Sequence, residues 1–199
     1  MRVNFNYIKM NKELLNLLHT RVANTSVGAS TARGMGPKGT VKAASDYLAR
    51  LDLRRFSVQS EKEFRRLLNR VTRAYIKKLP AGAQRWGPAR KFLNIFLRDV
   101  TYNKYLCSAY GLEHIEPWLE VPLDSHVANG LWKEDGGKDL PRWKTVIGLD
   151  ARMSNKYQQF AANVAAKKGI FRVHLDIYYW RHPHEAVSKS HQRTLKTRR

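Results

Sequence analysis

Between residues 89 and 100 the chain places Ala89, Phe92, Leu93, Phe96, Leu97 and Val100 at i, i+3, i+4, i+7, i+8 and i+11, without a miss. At 3.6 residues per turn these side chains form one continuous stripe, whereas a strand would scatter them over both faces. The segment is therefore an amphipathic helix, and its apolar stripe needs partners. Such partners recur along the chain. Leu14, Leu15, Leu17, Leu18 and Val22 fall in a helix over 10–22, and a further helix spans 41–51. Ser60-Glu61-Lys62-Glu63 has the form of a capping box, and behind it Phe64, Leu67, Leu68, Val71, Ala74 and Tyr75 share one helical side.

Leu79-Pro80-Ala81-Gly82 stops that helix, and after a short hairpin Gly87-Pro88 opens the next, with proline at its first position. Val121-Pro122-Leu123-Asp124-Ser125 reads as a loop and N-cap before a helix reaching Leu131, followed by a charged loop over 133–138. A short helix is expected over 142–149, and a longer one over 154–168 closed by Gly169. Residues 170–180 fit both a strand alternation and a helical spacing. No second strand exists to pair with them, so they are assigned to a helix. The expected fold is all-α, forming a single domain over 1–182 with a basic, disordered tail over 183–199. The segment 23–40, with Gly28, Gly34, Gly36 and Gly39, reads as a flexible basic loop, either a linker or a loop offering N–H groups to phosphate. It lacks the spacing of a P-loop.

The charge balance narrows function. Lysine and arginine total 37 against 16 acids, a formal charge of +21. No fold needs that excess, and its self-repulsion is costly. The charge is also clustered: ten basic residues and no acid lie between Phe64 and Arg98, while seven of the acids fall between Glu113 and Asp139. Long acid-free stretches point to a polyanion, with nucleic acid foremost. One cysteine, Cys107, excludes a disulfide framework and any Cys-based zinc site. No apolar run approaches the ~18 residues of a membrane span, and the first 18 residues lack the apolar block of a secretory signal. An intracellular, DNA-associated monomer is expected.

Three segments carry chemistry. The hairpin Leu79–Lys91 is basic and contains glycine, so its N–H groups and the following helix's positive end suit a DNA backbone. Pro122-Leu123-Asp124-Ser125-His126-Val127-Ala128 sets an aspartate at a helix start some thirty residues later, and His174-Leu175-Asp176-Ile177-Tyr178-Tyr179-Trp180 lies near the end. In this order they resemble the archaeal 8-oxoguanine DNA glycosylases, a branch of the helix-hairpin-helix glycosylase superfamily. That branch has a lengthened hairpin, a Pro-x-Asp-x-x-Val-Ala segment bearing the catalytic aspartate, and a late His-Leu-Asp-x-x-x-Trp helix lining the base pocket. The resemblance covers Leu79 to Trp180. The Leu-Pro-Gly-x-Gly form of the common hairpin is absent.

The resemblance implies two helical lobes with a cleft, and excision of a damaged or modified base from double-stranded DNA after it is extruded. Asp124 would stabilise the oxocarbenium-like sugar, and Lys91 would be the Schiff-base amine of an associated lyase activity. Arg90 competes with Lys91 for that position, and arginine cannot serve as the nucleophile. Asp176, Trp180 and Pro122 would hold the base. Lys77, Lys78, Arg85, Gly87, Arg90 and Ser125 would hold the DNA backbone. No metal or organic cofactor is implied. Each residue also has an ordinary role: Asp124 as a helix N-cap contributing about 1 kcal/mol, Lys91 as a surface lysine, Trp180 as a packing aromatic. A basic helical protein that binds DNA or structured RNA without catalysis would carry the same charge.

Overall fold

The computed structural model describes residues 11–180. The basic tail over 183–199, and the start of the first helix at Met10, lie outside them. Every regular element among the described residues is helical. Seven α-helices follow in order: α1 Lys12–Ser26, α2 Thr40–Ala49, α3 Glu61–Ile76, α4 Trp86–Tyr102, α5 Lys104–Ala109, α6 Ser125–Asp135 and α7 Ala151–Lys167. Short 3-10 helices occupy Leu53–Phe56, Ala81–Ala83, Glu113–Trp118 and Arg172–His174, and residues 175–180 are helical. The chain divides into two compact units, Met1–Trp118 and Leu119–Arg199.

The first unit is built around α4. From Gly87 to Leu97 every residue of this helix is buried, so its apolar stripe is only part of what its neighbours cover. It packs against α1, α2, α3, α5 and the 3-10 turn at Glu113–Trp118. Phe92, Leu93 and Phe96 are wholly inaccessible. Helix α4 begins at Trp86, so Pro88 is its third residue rather than its first. A missing N–H costs nothing at that position, because the first four have no partner within the helix. Asn103 ends α4 and caps α5 at once: its N–H donates to the carbonyls of Asp99 and Val100, while its side chain accepts from Tyr105 and Leu106.

Helix α1 buries a different face from the one its leucines suggest. Leu14 and Leu17 are exposed, whereas His19, Val22, Ala23 and Ser26 are buried. The small residues allow close approach to α2 and α4, and Ser26 Oγ donates to Asp99 Oδ2 at 2.7 Å. The His19 ring stacks on Phe96 at 5.5 Å, and its Nε2–H donates to the Leu48 carbonyl at 2.9 Å. One imidazole thus joins α1, α2 and α4. Helix α3 starts on the expected cap, with Ser60 Oγ accepting from Glu63 N. The Glu63 carboxylate returns to Gln59 N, one residue before the cap.

In the second unit the Gln158 side chain of α7 bonds both backbone groups of Val121, accepting at 3.0 Å and donating at 2.8 Å. Gly136 (φ 67°) closes α6, and Gly169 (φ 67°) follows α7; both adopt the left-handed conformation open to glycine. The helix expected over 142–149 is absent: these residues run irregularly, with a single turn at 146–148. Thr145-Val146-Ile147-Gly148 joins three β-branched residues to a glycine, a poor helix nucleus. The segment instead packs onto α7, with Trp143 edge-on to Tyr157 and the Tyr157 hydroxyl donating to the Pro141 carbonyl.

Burial lowers the His19 pKa below its ordinary 6.5. Below that pH the unfolded chain takes up the proton more readily, so the His19 contribution is complete above 6.5 and is lost as pH falls. His19→Phe keeps the stacking and removes the titration. The stability advantage of the wild type over this variant, from urea midpoints, is expected to shrink between pH 8 and pH 5.5. A constant or growing advantage would contradict a buried neutral His19.

Candidate functional site

In the second unit, Asp124 adopts an extended backbone and caps α6. Its Oδ1 accepts from His126 N at 2.9 Å and Val127 N at 3.1 Å. Those bonds satisfy two of the N–H groups that the start of a helix leaves without a partner inside it. Asp124 is 8% exposed. Pro122 and Leu123 are buried before it, and Ser125 is exposed as the first residue of the helix. His126 is also exposed, and its ring lies against the Trp180 indole with centroids 4.6 Å apart and planes at 41°. Trp180 is 52% exposed. Asp124 and Trp180 are therefore brought to the same end of α6, linked through His126.

Asp176 is buried on the short helix that carries Trp180. The i, i+4 spacing puts it on the helical side of Trp180, but Asp176 is 7% exposed and lies inward with Leu175 and Tyr179. The outward pair is an imidazole and an indole, not a carboxylate and an indole.

Trp180 is positioned by its neighbour. The Tyr179 ring rests on the backbone of Gly130 in the middle of α6: a Cβ there would lie 2.4 Å from Tyr179 Cδ1. The Tyr179 hydroxyl donates to Glu134 Oε1 at 2.7 Å, and Lys168 Nζ lies 3.3 Å from the same oxygen. Burial and this carboxylate raise the Tyr179 pKa far above its ordinary value, so the hydroxyl remains a donor. Lys168 also sits over the Tyr178 ring at 4.8 Å. His126 and this seat are functional candidates that sequence reasoning missed. A glycine inside an otherwise regular helix was the available signal for the seat.

The first unit holds the hairpin residues. Lys77, Lys78 and Arg85 are exposed. Arg90 and Lys91 are not, at 3% and 6%. The Arg90 guanidinium bonds Asn69 Oδ1 and lies 4.8 Å over the Trp86 ring. Its expected role as a surface phosphate contact is corrected: the side chain is drawn under α3 because α4 is covered on all sides. Lys91 is likewise no surface lysine, and its Nζ donates to the Thr31 carbonyl at 3.3 Å. Gly87, at the second position of α4, is buried.

Thr31 belongs to the glycine-rich segment, which is no free linker. Val27, Ala32 and Met35 are buried within it. Gly36 lies so close to the hairpin that an added Cβ would meet Ala83 Cβ at 2.5 Å, and one on Gly82 would meet Pro37 at 3.1 Å. The segment is a clasp on the hairpin, and it covers the Lys91 amine. Among the described residues no group of three His, Cys, Asp or Glu side chains is placed to hold a metal ion. No described helix is long and apolar enough to cross a membrane.

Gly130→Ala tests the seat by its sign. Alanine favours a helix interior by about 1 kcal/mol over glycine, so on an open helix the variant would be more stable. With Tyr179 on the backbone, the clash is expected to outweigh that gain, for a net loss of about 1–3 kcal/mol in thermal melting. Unchanged or increased stability would show that Tyr179 does not occupy the seat.

No protein-family model, curated protein or solved structure matches the chain.

Proposed function

We propose that the chain is a DNA glycosylase of helix-hairpin-helix type, with two helical lobes, that removes a damaged or modified base extruded from a duplex. One observation carries the reading: the capped carboxylate of Asp124 and the exposed Trp180–His126 rings share one end of α6. Excision needs both parts. A π surface holds the extruded base by stacking. A fixed anion stabilises the positive charge that develops on the sugar as the N-glycosidic bond breaks. The base departs with the bonding electron pair, water adds to C1′, and the water's proton is released. Nothing in this sequence requires Lys91. The lyase branch requires its amine to leave Thr31, lose a proton and attack C1′ in place of water.

A second reading is a basic helical binder without catalysis. It is favoured by the fact that Asp124 caps α6, a role that needs no catalysis.

The two separate in one assay. Duplexes carrying 8-oxoguanine, uracil or hypermodified bases are incubated with the protein, and abasic product and borohydride-trapped adduct are measured. The wild type is expected to release at least one of these bases. Asp124→Asn keeps the cap, so its melting temperature is expected to stay near that of the wild type while the excision rate falls at least 100-fold. Trapping that disappears in Lys91→Gln would assign the lyase amine, and abasic product without trapping would assign the water route. Tight, salt-dependent binding with no excision across the panel would leave the binder.

A further inference from the structure

The sequence alone gives an acid-free run from Phe64 to Arg98, but the structure divides it. Arg90 and Lys91 turn inward, while Lys62, Arg65, Arg66, Arg70, Arg73 and Lys77 are all exposed. At about 100° per residue these six fall within an arc about 140° wide on α3. The buried residues Phe64, Leu67, Leu68, Val71, Thr72 and Tyr75 fill an arc of similar width on the opposite side. The two arcs do not overlap. The acids of α3, Glu61 and Glu63, are confined to its first turn, and Glu63 is engaged in the cap. Asn69 lies inside the stripe, with its Oδ1 taken by Arg90, so what it can offer outside is N–H donors.

This face is poorly explained as a solubilising surface. A solvated helix face usually mixes signs, because Glu–Lys pairs at i, i+4 add stability. Here Lys62–Arg66, Arg66–Arg70 and Arg73–Lys77 are like pairs at i, i+4, and Arg70–Arg73 is one at i, i+3. Each works against the helix. What the face fits is a row of phosphates. It extends about 22 Å at 1.5 Å per residue, and over that length one strand of a duplex presents about six phosphates, at 3.4 Å of axis each. Arginine, which dominates the stripe, forms paired N–H bonds to phosphate oxygens.

We infer that the outer face of α3 is the principal phosphate-binding surface of the protein and lies along the backbone of double-stranded DNA, the hairpin contributing Lys77, Lys78 and Arg85 at its end. The choice of DNA rests on the glycosylase reading; the assignment of a phosphate backbone rests on the stripe. Contacts to phosphate oxygens carry no sequence information. The face holds duplex without regard to sequence, as a search for rare bases requires.

The test uses the full chain and a fluorescent 20-base-pair DNA duplex, with affinity measured against salt. One variant carries Arg65→Gln, Arg66→Gln, Arg70→Gln and Arg73→Gln. A charge-matched control carries Arg142→Gln, Lys144→Gln, Arg152→Gln and Lys156→Gln, all at exposed positions of the second unit. Circular dichroism and melting confirm that both fold. The stripe variant is expected to lower the slope of log K against log salt by about three, and to bind at least a hundredfold more weakly at 0.1 M salt. The control is expected to stay near the wild type. A stripe variant indistinguishable from the control would overturn the inference, even if excision is seen. Stripe-dependent binding with no excision by any form would uphold the surface and reject the glycosylase. Tighter wild-type binding to an RNA duplex, with the same dependence on the stripe, would overturn the assignment to DNA.

Discussion

The contact of the Tyr179 ring with the bare backbone of Gly130 sets how the exposed rings of the second unit are arranged. It removes a side chain from the middle of α6 and sets the helix over 175–180 against that gap. The next residue, Trp180, is then brought to the His126 ring, at the end of α6 where Asp124 is held by two N–H groups. Glu134 and Lys168 fix the outer end of Tyr179. A weak point in helix propensity becomes the reference for a carboxylate and two exposed rings.

In the first unit the governing constraint is the burial of α4 on all sides. A helix covered by five neighbours has no outer face for its charged residues, so Arg90 and Lys91 must find partners inside. Arg90 finds Asn69 and Trp86, and Lys91 finds the Thr31 carbonyl. The glycine-rich clasp exists in this form because Gly36 and Gly82 let two backbones approach across the hairpin. The positive charge that remains outside gathers on α3, whose polar side is free of the core.

Much of this was legible from residues alone. The α4 stripe, the Ser60 cap and the Asp124 cap are local patterns, set by spacing and by hydrogen bonds within one turn. The failures are where a local pattern met a tertiary contact. Leu14 and Leu17 look like core by period, but α1 packs through Ala23 and Ser26, whose small size the pattern undervalues. Residues 142–149 have apolar side chains, yet their β-branched run yields to packing on Tyr157. Arg90 and Lys91 are charged yet buried, because segments distant in sequence supply their partners. His126 stands between two residues of the motif, and its ring contact spans more than fifty positions of sequence, beyond the reach of a local pattern.

On the proposed function, a nucleobase rests on the rings at the start of α6. Photo-crosslinking tests it directly, using a duplex with one unpaired 5-iodouracil at its centre, since an unpaired base is the cheapest to extrude. The account predicts that irradiation joins this base to Trp180 or His126, and that the adduct falls sharply when the same base is paired. Crosslinks confined to residues of the first unit, with none at the Trp180–His126 rings, would contradict it.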